Sequence, residues 1–129
     1  MRDHRKLKVF ERADALLLET YRVTASFPRA ESFGLTAQMR RAAVSITCNI
    51  VEGCARRSEA EFLRFIDTAV ASAKELAYQL DVASRLGLGT ARYDVVAGLC
   101  AETVRMLVGL QNAVRQAANS QSRAVDCRL

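Results

Sequence analysis

Gln38, Arg41, Ser45, Asn49 and Glu52 recur at steps of three, four, four and three. On a helix this spacing makes one continuous polar line about 100° around from the adjacent apolar one. The set mixes amides, a hydroxyl and single charges, the types that build a specific hydrogen-bonded network or a subunit interface; a partly solvated flank is the plainer alternative. A second group is cationic. Arg40-Arg41 and Arg56-Arg57 stand at opposite ends of that segment, Arg64 follows, and Arg5, Lys6 and Lys8 lie near the N-terminus. Guanidinium forks suit bidentate phosphate contacts, so these residues predict salt-sensitive binding to RNA or DNA with little sequence readout. A solvated basic surface is the other reading of the same residues. Phe10, Tyr21, Phe62 and Phe65 all fall in apolar register, which predicts core positions and not base-stacking platforms.

Catalytic chemistry finds no comparable set. The one histidine, His4, belongs to an N-terminal arm expected to be mobile, so Ser–His, Cys–His and His–metal arrangements have no histidine inside the fold. Glu-x-x-His pairs of the di-iron bundle type do not occur. Gly87-Leu88-Gly89 follows a helical pattern and lacks a third glycine, so it reads as a turn and not a dinucleotide loop. Cys48, Cys54, Cys100 and Cys127 show no CxxC spacing, which argues against zinc and, without an export signal, against a disulfide framework. No catalytic residue, metal ion or cofactor is expected.

The elements that must position these residues are helical. In 129 residues there are one Pro, six Gly and no Trp, too little punctuation for a sandwich of short strands. The apolar line Leu7, Phe10, Ala13, Leu17, Tyr21 and Thr24 predicts a helix over 6–25, ended by Pro28. Leu35, Met39, Ala42, Ile46 and Ile50 predict a second over 35–52, with Gly53 as its C′ glycine. Ser58-Glu59-Ala60-Glu61 reads as a capping box opening a third over 59–86, with Phe62, Phe65, Ala69, Ala73, Leu76, Leu80 and Ala83 inward and Gly87 as its stop. Val96, Leu99, Thr103, Leu107, Leu110 and Val114 predict a fourth over 91–118 that Thr90 can cap. The small residues Ala71-Ser72-Ala73 and Ala97-Gly98 permit close helix approach, and 119–129 reads as a polar, flexible tail. Four such helices on short connections imply one all-α domain, residues 1–118, folded as an antiparallel up-down-up-down bundle.

The net charge of +5 is uneven: residues 2–12 hold five basic and two acidic side chains, whereas 65–104 hold three and five. The longest run without Asp, Glu, Lys or Arg, Ala42 to Val51, is too short to span a membrane, and a secretory h-region is missing. A cytoplasmic protein without membrane contact is expected.

Phe27-Pro28, Glu31, Phe33-Gly34-Leu35, Gln38, Arg40-Arg41-Ala42, Ser45-Ile46, Asn49-Ile50 and Glu52-Gly53, followed by an Arg-x-Ser match at Arg56-Arg57-Ser58 and by Glu61-Phe62, follow one long pattern. It resembles the signature of the bacterial four helix bundle proteins, or 23S rRNA intervening sequence proteins, and with later matches covers roughly 7–115. Thr47-Cys48 stands where many members have Pro-Ser, altering a kink in the second helix, and Ala71-Ser72-Ala73 where many have Gly-Ser-Leu. The resemblance implies an antiparallel bundle assembling into a ring-like homopentamer. The family also looks similar to the accessory variability determinant proteins of diversity-generating retroelements, basic pentamers that bind nucleic acid and a reverse transcriptase. Its polar signature maps onto Gln38, Arg41, Ser45, Asn49, Glu52, Arg57 and Ser58. Two functions are therefore expected in order: an oligomeric, non-enzymatic nucleic-acid-binding protein, or a scaffold that recruits a protein partner such as a reverse transcriptase.

Overall fold

Apolar residues recurring every three or four positions bury best when helices lay those faces against one another. The computed structural model describes the backbone of residues 1–90 and 93–128 and their side chains through Ala124. Among the described residues there are four α-helices and no strand: α1 (Lys8–Ala25), α2 (Leu35–Cys54), α3 (Glu59–Arg85) and α4 (Tyr93–Arg128). Short 3-10 turns precede α1 at His4–Lys6 and α2 at Arg29–Glu31.

Cross-helix contacts set the directions. Arg40, early in α2, reaches Thr24 at the end of α1, while the Arg2 amide just ahead of α1 donates to the Cys54 carbonyl at the end of α2. Arg12 of α1 pairs with Glu102 of α4 at 3.0 Å, and Arg115 of α4 with Asp67 of α3 at 3.1 Å. Consecutive helices therefore run antiparallel, and each packs on two neighbours around a shared core. Leu16, Met39, Ile46, Ile50, Phe62, Ile66, Leu76, Val96 and Leu107 are fully buried there.

The inward face of α1 differs from the expected line. Val9, Ala13, Leu16, Thr20, Val23 and Thr24 are buried, whereas Leu7, Phe10 and Leu17 are only half-covered and Tyr21 is 42% exposed. Leu16-Leu17-Leu18 fits more than one helical phase, and the compact Ala13, Thr20 and Thr24 select the phase that lets α1 lie close to its neighbours. Burying the two threonines costs little, because each hydroxyl donates to a carbonyl one turn earlier at 2.7 Å.

The ends of the helices also correct the sequence reading. The expected flexible tail at 119–129 is instead helical as far as Arg128, since Asn119, Ser120, Gln121 and Ser122 include no Gly or Pro and such residues each cost at most about 0.7 kcal/mol relative to Ala. The expected first turn of α4 at residues 91–92 lies outside the described residues. The N-terminal arm, expected to be mobile, is docked: Arg2 donates its amide to Cys54, ion-pairs with Glu59 at 2.6 Å and lies 3.8 Å over the Phe62 ring, while His4 meets Phe10 edge-on. Helix α2 ends with carbonyls that lack intrahelical partners, and the arm supplies one. Ser58 caps α3 by accepting from the Glu61 amide at 3.1 Å; the reciprocal Glu61 carboxylate bond is not among the described hydrogen bonds. Glu31, by contrast, caps α2, accepting from the Leu35 amide at 3.0 Å.

Gly53 is not a C′ glycine. It lies within α2, and an added Cβ would meet the Phe65 Cβ at 3.0 Å and the Phe62 carbonyl at 3.4 Å, so its lack of a side chain sets how closely α2 approaches α3. Gly98, offered as another close-approach position, has nothing within 4 Å of an added Cβ. The stop after α3 is a Schellman motif: Gly87, at φ 67°, donates to Ser84, and Leu88 donates to Ala83. Gly89 is left-handed too, at φ 71°, and an added Cβ would come within 2.6 Å of Ser26 Oγ and 3.0 Å of the Phe27 ring. Gly87→Ala is expected to cost about 1 kcal/mol for its conformation alone, and Gly89→Ala about 2–4 kcal/mol because overpacking adds to the same strain. Denaturant unfolding checks this, and equal costs would mean that the Ser26–Gly89 contact is slack.

Candidate nucleic-acid interface

Helices α2 and α3 meet along a polar seam. Ser45 Oγ lies 2.8 Å from Ser72 Oγ, and the Asn49 side-chain nitrogen donates to the Ser45 carbonyl at 2.7 Å and to its hydroxyl at 3.0 Å. Small side chains at 45 and 72 allow this approach. Two turns on, Gln79 donates to Glu75 at 3.1 Å and keeps a buried Oε1 with no partner among the described residues. Gln38, Arg41, Ala42, Val44, Ser45, Ser72 and Glu75 line an open groove of about 440 Å3 along the seam. Toward the α2–α3 turn, Asn49, Arg64, Phe65 and Thr68 line a smaller pocket of about 120 Å3.

Of the polar line expected on the second helix, then, Gln38, Arg41, Ser45 and Asn49 face this seam. Glu52 does not: it borders a separate groove with Phe10, Asp14, Thr47, Cys48 and Val51, because three residues beyond Asn49 the helix has turned toward α1. Ser58 is spent on the α3 cap. The sequence reading missed the partner line on α3, where Phe65, Thr68, Ser72, Glu75 and Gln79 recur at steps of three and four. That spacing is visible in the sequence, but it is interleaved with the apolar line and polar only in part.

The expected cations separate into two groups. Arg40 is tied to α1, donating to Thr24 Oγ1 at 2.8 Å and to the Tyr21 carbonyl at 3.4 Å with its guanidinium 4.5 Å over the Tyr21 ring. The rest of α2, a rise of about 21 Å from Arg40 to Cys54, separates it from Arg56. At the other end, Arg56 and Arg57 in the turn and Arg64 on α3 lie on the same end of the bundle as Arg5, Lys6 and Lys8, because the docked arm brings the latter against the end of α2. Arg5 is shared with Asp3, whose carboxyl is held below its usual range by the Arg5 side chain. Arg57, Arg64, Lys6 and Lys8 are exposed and have no ion-pair partner among the described residues. Tyr21 and Phe65, expected in the core, lie nearer the surface: Phe65 is half-buried, with the Arg56 guanidinium 4.8 Å over its ring. A guanidinium over the ring offsets the exposure of each aromatic face.

For other chemistry the arrangement offers little. Among the described residues no cluster of three His, Cys, Asp or Glu could hold a metal ion. Cys54 and Cys100 are buried, and burial pushes the Cys100 thiol up to about 11, so it remains protonated and a poor nucleophile at neutral pH. Cys48 is exposed; the Cys127 side chain lies outside the described residues. No helix among the described residues is long and apolar enough to cross a membrane.

No curated protein matches the chain. A crystal structure of a protein with unknown function from the S23 ribosomal protein family of Bacteroides thetaiotaomicron shares its fold, with a TM-score of 0.70 at 20% identity over 81% of this chain and 95% of that one. A family model described as 23S rRNA-intervening sequence protein matches residues 5–109. That match takes in α1 to α3, the polar seam and the basic end, and by it the chain belongs to the 23S rRNA-intervening sequence protein family.

Proposed function

We propose that this is a non-enzymatic, cytoplasmic nucleic-acid-binding protein that works as a homo-oligomer and holds phosphates at one end of its bundle. The observation that carries the reading is the docked arm: it sets Arg5, Lys6 and Lys8 beside the turn that bears Arg56 and Arg57, with Arg64 on the adjoining helix. Those six cations, with Arg2 and Arg12 beside them, outnumber the carboxylates of the same segments, Asp3, Glu11, Glu52, Glu59 and Glu61, and that excess favours counterion release from a polyanion. Oligomerisation repeats that end around a symmetry axis and multiplies a modest monomer charge. The pentamer is the number the family resemblance implies, and the Gln38–Arg41–Glu75 stretch of the seam is its proposed contact.

Fluorescence anisotropy with RNA and DNA between about 50 and 200 mM salt tests the binding, which is expected to weaken steeply as salt rises; no binding at the low end overturns it. Light scattering tests the assembly, and a monomer at micromolar concentration removes it. A protein-recruiting scaffold is favoured by one feature, the loop end opposite the cations, where Phe33 is 96% exposed and Leu86 63% exposed. Two large apolar side chains left in water on neighbouring turns suit a protein partner, of which a reverse transcriptase is one class.

A further inference from the structure

We propose that the pocket lined by Asn49, Arg64, Phe65 and Thr68 receives one unpaired nucleotide, so that the protein prefers single-stranded to duplex nucleic acid. This rests on the nucleic-acid reading above and specifies the form of its ligand. The pocket, of about 120 Å3, is on the scale of one flat ring system.

Its walls offer the groups an unstacked base needs. The Asn49 nitrogen is committed twice to Ser45, so its Oδ1, which has no partner among the described residues, is left to accept from a base N–H. Thr68 donates its hydroxyl to the Arg64 carbonyl at 3.2 Å, which likewise leaves its oxygen free to accept. Outside the lining, the exposed Arg56 lies 4.8 Å over the ring of Phe65, and a guanidinium plane backed by an aromatic ring is a platform on which the neighbouring base of a single strand stacks. The Arg64 side chain, at the pocket and exposed, can take the phosphate that follows the base. A duplex keeps its base faces inside its own stack, so it reaches the arginines but not the pocket.

The test uses anisotropy on the full chain with a short mixed-sequence single strand, as RNA and as DNA, against the duplex of the same sequence. Single strands are expected to bind about tenfold more tightly than duplex, the scale of one stacked base. Asn49→Ala and Thr68→Val are each expected to reduce single-strand affinity several-fold more than duplex affinity. Because Asn49 also ties α2 together, Thr68→Val, at an exposed position, keeps the test independent of folding. Preference for single strands in either sugar supports the pocket, and the sugar bound more tightly assigns its ligand as RNA or DNA. Equal binding of single strand and duplex, or equal losses for both in Thr68→Val, overturns the pocket while leaving the phosphate-binding end intact. Loss of all binding at low salt overturns the nucleic-acid reading itself.

Discussion

Phe62→Ala is expected to lower the unfolding free energy by about 3–5 kcal/mol, the range for emptying a fully enclosed aromatic site. Phe62 is wholly buried near the start of α3, and its ring lies against the Gly53 backbone, where an added Cβ would stand 3.5 Å from the ring. Above it lies the Arg2 guanidinium at 3.8 Å, which also binds Glu59 at 2.6 Å. Truncation therefore leaves a cavity that the rigid Gly53 contact cannot close, and it removes the ring on which the N-terminal arm rests. Denaturant unfolding reads the loss, and limited proteolysis reads the arm, which is expected to become cleavable near Arg5. A variant as stable as the parent would show that the core re-forms around the gap. The Arg2–Glu59 pair is a second fastener for the arm. The Arg2 side chain holds the Glu59 carboxyl below its usual value, so this contribution is present above the unfolded-state carboxyl range and is lost as pH falls through the lowered one.

Replacing Arg56, Arg57 and Arg64 together by glutamine is expected to weaken nucleic-acid binding about a hundredfold at 150 mM salt and to flatten the log–log salt slope by up to about 2.7. Each phosphate contact contributes about 0.9 to that slope, which at this salt is worth roughly fivefold in affinity, and three contacts compound. Arg40→Gln is the contrasting substitution. Its guanidinium is held by Thr24 and the Tyr21 carbonyl, so it is expected to reduce stability and leave the salt slope unchanged. An unchanged slope in the triple variant would remove this end of the bundle from the interface. Equal slope changes in both variants would mean that overall charge, and not its placement, governs binding.

The contrast between Arg40 and Arg56 shows where sequence reading runs out. Both are exposed-looking arginines beside aromatics in register, and sequence treats them alike. Only packing reveals that one pins α1 to α2 while the other covers a ring at the rim of a pocket. The polar line on α2 was visible from its spacing, but its partners Ser72 and Thr68 belong to a helix whose register against α2 is set by Gly53 meeting Phe62 and Phe65. A relative shift of one turn would bring the same residues together with different partners. Likewise the arm reads as loose from its charge, since nothing local in Met1–Leu7 announces that its amide will find the orphan carbonyl of Cys54.

The sequence by itself determined that this chain is a bundle of four amphipathic helices, where three of them begin to within two residues, that Gly87 closes the third, and that its positive charge concentrates toward both ends of the chain and around the second turn. Those properties are local: periodicity, capping and left-handed glycine conformations depend on residues within a turn or two. Tertiary structure decided which face of α1 turns inward, which arginines are left free, that the arm joins the basic end, and that α2 and α3 enclose a pocket. Each of these depends on the relative rotation and register of two helices, which side-chain volumes at distant positions set jointly and no single stretch of sequence specifies.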